Sequence, residues 1–506
     1  MSWLRRELKK LNWLVIGNVI GNILLAIAGL MILPVVTGLI YHEMSMVAFF
    51  LITIGISLIL GFPLSRIKVE HSMYFARDGL IAVGLAWIVI SVFGALPFYL
   101  SGTIPSFVDA LFETISGFTT TGSSILREIE SLPKCMLIWR SFTHWVGGMG
   151  ILVFVLAILP KANERSMHIL RAESPGPVIG KLVPRIRKSS FILYSIYMAL
   201  TITEIILLLV GGMPLFDSLC NSFGTAGTGG FGILNAGIGG YNNTYYEMVI
   251  SVFMLLFGIN FNFYFFLLIR EWKSAFKMEE VRVYLGIVLT CVILIGINIL
   301  PLVGYDGFQA FRFSLFQVAS IITTTGYAST DFNLWPTFSK IIILLLMVLG
   351  ACAGSTGGGI KVSRFMIIVK KVRVDLQRMI HPNKVQLVTF EGKEVPKEVV
   401  DQIMSYFGIF MLILGTLLLI VSLDGFDFET TVSACFACIG NIGPGFGICG
   451  PLGNFADFSV LSKLVLSAAM LIGRLEIYPI MVFLTPFLGR GKIHKRSIVD
   501  ALKMED

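Results

Sequence analysis

Four short segments of the chain share a pattern of residue types that suits the binding of a dehydrated cation. Each is an apolar, helix-like run that ends in a tip rich in threonine, glycine, alanine or asparagine. The segments are Phe112–Gly122, Leu219–Gly229, Phe316–Gly326 and Ser433–Gly443, and the first and third end in Thr-Thr-Thr-Gly. Backbone carbonyls replace the water shell of an ion when successive peptides point to the same side. Glycine permits this geometry because it adopts positive φ without steric cost.

The predicted cation ligands are the backbone carbonyl oxygens of these tips. The tip residues assigned to binding are Thr120, Thr121, Gly122, Thr228, Gly229, Thr324, Thr325, Gly326, Asn441, Ile442 and Gly443. The closing glycines Gly122, Gly229, Gly326 and Gly443 are aligned as equivalent positions. Each helical run ends at its tip, so its dipole directs partial negative charge there and favours a cation over an anion. The alternative is an ordinary surface loop, but loops seldom repeat such a unit four times.

The elements that must position these tips are membrane spans. Hydrophobic residues make up 56% of the 506-residue chain and charged residues only 14%, whereas soluble domains carry about 25% charged residues. A hydrocarbon core ~30 Å thick requires ~20 apolar residues per helix. Spans are predicted at 13–40, 46–63, 78–100, 136–160, 189–211, 246–269, 283–303, 338–379, 400–422 and 460–488.

Charge distribution predicts the orientation of these spans. Most of the 39 Lys and Arg residues lie in 1–12, 65–77, 160–188, 270–282, 361–397 and 489–506. By the positive-inside rule these stretches are cytoplasmic, whereas Gly211–Ile269 contains neither Lys nor Arg. Ten passes then place both termini in the cytoplasm, and the tips enter from the outer side. The net charge of +8 is therefore a topology signal. A nucleic-acid partner is not expected, because the basic residues are scattered between spans.

The tips and spans together form a repeat. Each tip lies between two spans, so the unit is a span, a half-helix, a tip and a second span. The predicted fold is an all-α integral membrane protein with four such units in pseudo-fourfold arrangement around a pore, preceded by an extra two-helix unit. The predicted units are 1–70, 71–180, 181–280, 281–395 and 396–506, of which the last four each hold one tip.

A second glycine-rich stretch interrupts the eighth predicted span. Gly354–Gly359 reads Gly-Ser-Thr-Gly-Gly-Gly, and glycine disfavours a helix by ~1 kcal/mol per residue relative to alanine. Unwound backbone at membrane depth must be buried in protein or line water. This stretch is therefore predicted beside the pore. A simple helix kink is the alternative, and the spacing does not match a phosphate-binding P-loop.

Three of the charged side chains at membrane depth are candidates for a functional role. Arg474 falls in an apolar run, where a charged group normally faces the protein interior or a water-filled cavity. It either faces the pore or is tied to carbonyl oxygens behind a pore helix. Glu113 in the first half-helix either braces a tip or attracts cations. Glu204 in the fifth span is either a proton-coupling group or a locally satisfied carboxyl.

The only Cys-x-x-Cys pair, Cys435 and Cys438, has no second Cys/His pair at metal-ligand spacing after it. Packing inside a buried helix is the preferred interpretation.

Several stretches resemble the Trk/Ktr/HKT superfamily of potassium transporters, most closely the TrkH-like membrane subunits. Besides the tips, the resemblance rests on Trp145–Gly150, Arg171–Pro177, Ala353–Lys361, Gly440–Gly445 and Gly473–Glu476. It covers essentially the whole chain. The extra pair of N-terminal spans is similar to the TrkH arrangement rather than to the shorter Ktr one.

The resemblance implies potassium uptake through a gated pore, with K⁺ ions in the filter and no covalently bound cofactor. Glycine at all four closing positions implies selection of K⁺ over Na⁺. The residues implied in gating are Gly354, Ser355, Thr356, Gly357, Gly358, Gly359, Lys361 and Arg474. The resemblance also implies a homodimer in the bacterial cytoplasmic membrane and a cytosolic RCK-type nucleotide-binding partner. Docking surfaces for that partner are expected in 161–188, 361–397 and the C-terminal tail.

Two other classes of function are compatible with a chain rich in membrane spans. Proton- or sodium-coupled K⁺ symport typically uses inverted repeats around a midplane site, whereas the four repeats here share one orientation. An intramembrane enzyme needs a catalytic pair or a metal cluster within the spans, and the sequence offers neither. The chain is therefore not expected to be an enzyme.

Overall fold

A helical unit at the N-terminus precedes the repeats in the computed structural model, which describes residues 12–67, 76–148, 150, 186–381 and 386–476. This unit comprises α1 (Trp13–Leu30), α2 (Ile32–Ile40) and α3 (Met44–Ser65). The helices α1 and α3 cross closely at Gly21, where an added Cβ would lie 2.3 Å from the backbone nitrogen of Ser65. The Asn18 side chain also donates a hydrogen bond to the Ser65 carbonyl at 2.9 Å.

Four units of similar helix order follow. The first contains α4 (Ala76–Leu100), the half-helix α5 (Phe107–Phe118) and α6 (Lys134–Gly148); the second contains α7 (Ile186–Val210), the half-helix α8 (Leu215–Gly227), α9 (Thr244–Gly258) and α10 (Phe261–Leu268). A short helix, α11 (Trp272–Lys277), leads to the third unit.

The third unit is divided by an irregular segment. It contains α12 (Glu279–Ile299), the half-helix α13 (Gly307–Ile322), α14 (Thr337–Val348) and α15 (Val362–Ile380). A two-stranded antiparallel hairpin, β1 (Thr389–Phe390) and β2 (Lys393–Glu394), connects it to the fourth unit. The fourth contains α16 (Lys397–Val421), the half-helix α17 (Phe428–Ile439) and α18 (Val460–Arg474).

The half-helices begin four to nine residues before the predicted helix-like runs, and three of them begin at side chains that cap free backbone N–H groups. Ser106 accepts from the amide of Asp109, Asp306 from those of Phe308 and Gln309, and Asp427 from that of Thr430. Oxygen-bearing side chains at this position stabilise a helix by ~1 kcal/mol. The second half-helix is the exception, since Pro214 precedes it and offers no side-chain cap.

Within the described residues, six helices are long and apolar enough to cross a membrane, and one bent pair would add a seventh. That pair corrects a prediction. The span expected at 246–269 is not continuous, because α9 and α10 meet at a bend of 90°. The break falls at Ile259 and Asn260, where the Asn260 side chain accepts from the amide of Asn262 at 3.0 Å and starts a new helix. A short polar cap within an apolar run is enough to redirect the chain.

The parts of the half-helices that lead into the tips are largely buried. Every residue from Phe112 to Phe118 is buried, so the last two turns of the first half-helix have no lipid-facing side. Trp139 of α6 packs against Phe118 at the end of this half-helix, with ring centroids 6.1 Å apart. A helix buried on all sides and ending at membrane depth needs partners for its last carbonyl groups. The tips supply them.

Candidate functional site

The four tips share one backbone geometry. In the first, the amide of Thr120 donates to the Gly117 carbonyl at 3.1 Å and the amide of Thr121 to the Ser116 carbonyl at 2.8 Å. The same pair of bonds recurs at residues 228 and 229, 324 and 325, and 441 and 442. This is the Schellman arrangement that ends a helix with one residue in the left-handed conformation. Each half-helix therefore stops and turns in the same way.

The left-handed residue in three of the tips is threonine. Thr120, Thr228 and Thr324 have φ of 55°, 52° and 59°, and Asn441 has φ of 55°. Positive φ is uncommon for any residue with a side chain and is an outlier for a β-branched one. Such strain costs on the order of 1–3 kcal/mol per residue and is typically found at functional sites. The repeated outlier marks this position as one where geometry matters more than local stability.

Two residues after the left-handed position, every tip has a glycine with positive φ. These are Gly122 (83°), Gly230 (74°), Gly326 (82°) and Gly443 (106°). The predicted equivalence of Gly229 with Gly122 is therefore wrong by one residue. Gly229 instead occupies the position of Thr121, Thr325 and Ile442, and Gly230 was missed.

The cause of the shift in the second tip is His144 of α6. A Cβ added to Gly229 would lie 2.2 Å from Nδ1 of His144. Because the imidazole fills the space that the Thr121 and Thr325 side chains have in their own tips, only glycine fits there. Sequence spacing did not reveal this, since His144 is far from Gly229 along the chain.

The four tips contact one another in a closed ring. A Cβ added to Gly122 would lie 2.0 Å from the Gly229 carbonyl oxygen, and one on Gly230 2.0 Å from that of Thr325. A Cβ on Gly326 would lie 1.9 Å from the Ile442 oxygen, and one on Gly443 2.7 Å from the Thr121 oxygen. Each tip thus touches the carbonyl of the next, and the fourth touches the first. No residue larger than glycine fits at these four positions without displacing a carbonyl.

The ring is closer to twofold than to fourfold in its side chains. In the first and third tips, hydroxyl pairs lie behind the backbone: Thr119 with Thr121, and Thr323 with Thr325, both at 2.8 Å. The second tip has His144 in this place. In the fourth tip the Asn441 amide donates to the Thr121 hydroxyl and to the Met470 carbonyl, each at 2.9 Å.

Glu113 braces the ring from behind. Its carboxylate forms a buried ion pair with Arg140 at 2.6 Å and accepts from the amide of Ile125, just after the first tip, at 2.9 Å. Arg140 also donates to the Gly232 carbonyl at 2.8 Å and lies 3.7 Å from the Phe231 ring centroid. The pair therefore joins the segments that follow the first and second tips. Arg140 was not predicted, although the argument used for Arg474 applies equally to it.

The predicted gating stretch is part of a longer irregular segment. The helix is broken from Leu349 to Lys361, and we call this segment the gating loop after the role predicted for it. Its two ends pair through an isolated bridge between Leu349 and Ile360, with the Gly350 amide donating to the Ile360 carbonyl at 2.8 Å. Within it, Gly354 and Gly359 have positive φ, and the Ser355 hydroxyl donates to the Cys352 carbonyl. A simple kink does not describe a break of this length.

The gating loop lies against the inner ends of two tips, that is, the ends next to the half-helices. The Gly358 amide donates to the Thr324 hydroxyl at 2.6 Å, and a Cβ on Gly358 would lie 2.7 Å from the Gly440 carbonyl oxygen. A Cβ on Gly357 would lie 3.0 Å from the Thr323 carbonyl oxygen. The loop glycines therefore allow backbone to reach the third and fourth tips directly.

Two of the predicted gating residues, the basic side chains Lys361 and Arg474, hold the loop in this position. Lys361 is buried, and its ammonium group donates to the Gly357 carbonyl. Arg474 donates to the Thr356 carbonyl at 2.9 Å and to the carbonyls of Gly147 and Gly148, the latter at 2.7 Å. Arg474 thus ties the loop of the third unit to the end of α6 in the first unit. It is bound to carbonyl oxygens, but one of them belongs to the gating loop itself.

The remaining predicted residues are located as follows. Glu204 is fully buried in α7, and Cys435 and Cys438 are buried in α17. The Arg171–Pro177 motif, most of 161–188, the end of the last predicted span and both chain termini lie outside the described residues.

Comparisons with known proteins place this arrangement in a class and a family. The helices and re-entrant tips define a multi-pass, all-α membrane protein. A family model described as TrkH, cation transport protein, matches residues 42–496. The chain therefore belongs to the TrkH family, as the tips and the glycine-rich loop predicted.

Individual relatives agree with this. The Trk system potassium uptake protein TrkH of Salmonella typhimurium is 34% identical over 482 residues, which are 94% of this chain and 99% of that protein. TrkG of Escherichia coli strain K12, another Trk system potassium uptake protein, is 33% identical over 464 residues, which are 91% of this chain and 95% of that one. The crystal structure of the potassium transporter TrkH from Vibrio parahaemolyticus superposes with a TM-score of 0.84 at 31% identity, covering 95% of this chain and 100% of that one. These are transport proteins, so the chain is not an enzyme, and the predicted all-α membrane fold is confirmed.

Proposed function

We propose that this protein takes up potassium across the cell membrane through a gated pore whose filter is the ring of four tips. The observation that carries the proposal is the cyclic contact of the tip glycines with the carbonyl oxygens of Gly229, Thr325, Ile442 and Thr121. Relatives at 33–34% identity are potassium uptake proteins, which supports K⁺ as the transported ion. The ion is cargo here and is held only in passing.

The ring suits a dehydrated monovalent cation for three physical reasons. Its carbonyl oxygens carry partial negative charge without the fixed charge that would trap a cation. The four half-helices end at the ring, so their dipoles add to the negative potential there. The Schellman bonds fix the backbone of each tip, and the glycines leave room for the carbonyl groups of the next tip. The carbonyl oxygens can therefore replace the water molecules that surround the ion in solution.

The gating loop is the proposed gate. It is in contact with the third and fourth tips at their inner ends, and Arg474 brings a positive charge to the same place. A cation leaving the filter on this side meets both the backbone of the loop and that charge. Opening then requires the loop to move away and the bond between Arg474 and the Thr356 carbonyl to break.

The surroundings of the pore follow from the same assignment. We place the protein in the bacterial cytoplasmic membrane with both termini in the cytoplasm, because the Lys- and Arg-rich stretches fall on one side of the ten predicted spans. A homodimer and a cytosolic RCK-type nucleotide-binding partner are proposed as the remaining parts of the system. The basic helix α15 and the β-hairpin after it offer that partner a surface in the described part of the chain.

Ion flux into liposomes tests the proposal. Vesicles that hold the purified chain and are loaded with K⁺ should accumulate radioactive Rb⁺, and external K⁺ should compete far better than Na⁺. Equal competition by Na⁺ would contradict a K⁺-selective ring. Uptake that requires a proton or sodium gradient would instead favour the symport alternative, and in that case Glu204→Gln should abolish the dependence on the gradient.

A further inference from the structure

Glu280, at the start of α12, contacts both ends of the gating loop. This side chain is 2% exposed. Its Oε1 atom accepts from the amide of Ala353, near the beginning of the loop, at 2.7 Å. The same oxygen accepts from the amide of Ser363, two residues beyond the end of the loop, at 3.1 Å. One carboxylate oxygen therefore joins two backbone points on either side of the segment that lies against the tips.

The second oxygen of Glu280 reaches the break in the bent span. Oε2 accepts from the Asn260 side-chain amide at 3.3 Å, and Asn260 caps α10 at the 90° bend. Backbone bonds join the same two regions: the Phe261 amide donates to the Gly354 carbonyl at 3.0 Å and the Cys352 amide to the Gly258 carbonyl at 3.1 Å. The bend of the second unit and the loop of the third fit together, and Glu280 is bonded to both.

Glu280 is itself anchored to the hairpin that follows α15. The carboxylate of Glu391, in the turn between β1 and β2, accepts from the amides of Glu279 at 2.9 Å and Glu280 at 3.0 Å. Lys370 bridges the same elements, donating to the Glu279 carboxylate at 2.5 Å and to the Thr389 carbonyl at 2.9 Å. A continuous set of charge-assisted bonds thus runs from the hairpin through the start of α12 to the loop.

We propose that Glu280 is the positioning residue of the gate. Glu280 holds the gating loop against the third and fourth tips, and the β-hairpin fixes the position of Glu280. This rests on the proposed function, because the loop must be the gate for its position to matter. A helix-capping role alone does not explain the contacts, since Ala353, Ser363 and Asn260 all lie outside α12. Hydrogen bonds to a charged acceptor are the strong ones, and loss of this carboxylate takes the acceptor from two buried backbone amides and from the half-buried Asn260 side chain.

A native cysteine reports the position of the loop. Cys352 lies in the loop and has no exposed surface. In a chain in which the other six cysteines are replaced by serine, Cys352 is the only cysteine that reacts with a membrane-permeant maleimide. Its reaction rate measures how often the loop moves away from the tips and exposes the thiol. The same vesicles give the basal Rb⁺ flux, so loop position and transport are read separately.

Glu280→Ala should raise the labelling rate of Cys352 by about tenfold, with a parallel rise in basal Rb⁺ flux and no change in competition by Na⁺. Glu280→Gln retains one acceptor oxygen and should give a smaller rise in both, which keeps the test valid if the alanine variant does not fold. Glu391→Ala should act in the same direction through the hairpin. Glu398→Ala, an exposed acidic residue in the first turn of another span, is the matched control and should change neither.

The outcomes separate this inference from the proposed function. Unchanged labelling in folded Glu280→Gln protein would overturn the positioning role. Faster labelling without more flux would show that the loop is not the gate and would overturn this proposal too. Absence of K⁺-selective Rb⁺ flux in the unaltered chain would overturn the proposed function, whatever the labelling shows.

Discussion

The ring of tips and the gating loop touch each other, yet they are built on opposite plans. The ring repeats one backbone arrangement four times, with the same two hydrogen bonds and the same pair of positive φ values in every tip. The loop occurs once in the described part of the chain. Besides its backbone bonds, it is held by single charged side chains: Lys361, Arg474 and Glu280. A part made of repeated backbone keeps its geometry when one side chain changes, whereas a part held by single side chains is easily released. The comparison implies that selectivity and gating are separable by mutation.

The largest expected effect is at a ring glycine. Gly122→Ser places a Cβ 2.0 Å from the Gly229 carbonyl oxygen at a φ of 83°, so the carbonyl must move. We expect the K⁺ over Na⁺ permeability ratio to fall by at least about tenfold, which corresponds to ~1.4 kcal/mol. Bilayer recordings of reversal potentials measure this ratio.

A matched control exists for backbone strain alone. Gly102 has a φ of 72°, and a Cβ there would meet nothing within 4 Å. Gly102→Ser should leave the permeability ratio unchanged. An unaltered permeability ratio in Gly122→Ser would show that Gly122 is not part of the filter. The ring would then not be the part of the molecule that determines selectivity.

The second tip offers a sharper test, because a side chain from another helix determines it. Gly229→Thr alone brings a Cβ within 2.2 Å of His144 Nδ1 and should lower selectivity. His144→Ala alone removes one of the two groups bonded to the Gly117 carbonyl, the imidazole Nδ1 at 2.8 Å, and leaves the Thr120 amide. The double variant recreates the threonine of the first and third tips and should recover part of the lost ratio. Coupling of ~0.5–3 kcal/mol is typical of residues in contact, whereas strictly additive losses would mean that His144 does not act through Gly229.

Arg474→Gln should affect the gating loop and not the ring of tips. Its three carbonyl acceptors join the loop to the end of α6, and a hydrogen bond from a charged donor contributes ~1.5–3 kcal/mol. Basal Rb⁺ flux should therefore rise several-fold while competition by Na⁺ stays the same. Arg127→Gln, which removes an exposed ion pair with Asp457, should have no effect. Altered selectivity in Arg474→Gln would mean that ring and loop are not independent.

The same contrast explains which features the sequence could predict. Three tips and the broken span follow from local composition, because the residues that decide them, such as Thr119–Gly122 and Gly357–Gly359, are neighbours in the chain. The register of the second tip was wrong because Thr228, Gly229 and Gly230 are compatible with two alignments, and the contact that decides between them comes from His144. Local patterns carry no information about such contacts.

Features that depend on partners distant in the chain were missed for the same reason. The bend at Asn260 is hidden in an apolar run that is long enough for a straight span. Glu280 appears only as one of two acidic residues in the first turn of a helix, a common place for them. Its partners Ala353 and Ser363 are identified only once the fold is known.

The smallest expected effect concerns the supports of the ring. Asp427 caps the fourth half-helix, accepting from the Thr430 hydroxyl and from the Thr430 amide at 3.0 Å. Asp427→Ala should reduce stability by ~1 kcal/mol, whereas Pro214→Ala, at the uncapped start of the second half-helix, removes no side-chain cap. Thermal unfolding in detergent compares the two variants.

The cap of Asp427 also gives the effect a pH signature. Hydrogen bonds from the Thr430 side chain, and then from its amide, lower the pKa of the Asp427 carboxyl below its usual value. A depressed pKa in the folded state means that the contribution is complete above the ordinary aspartate pKa of ~3.9 and is lost as the pH falls through the folded value. The difference in unfolding temperature between the Asp427→Ala variant and the unaltered chain should therefore be constant near neutral pH and shrink below about pH 4. A difference in unfolding temperature that persists in acid would assign the effect to packing rather than to the cap. A change in ion selectivity in Asp427→Ala would show that the geometry of the ring depends on the helix caps as well as on its repeated backbone bonds.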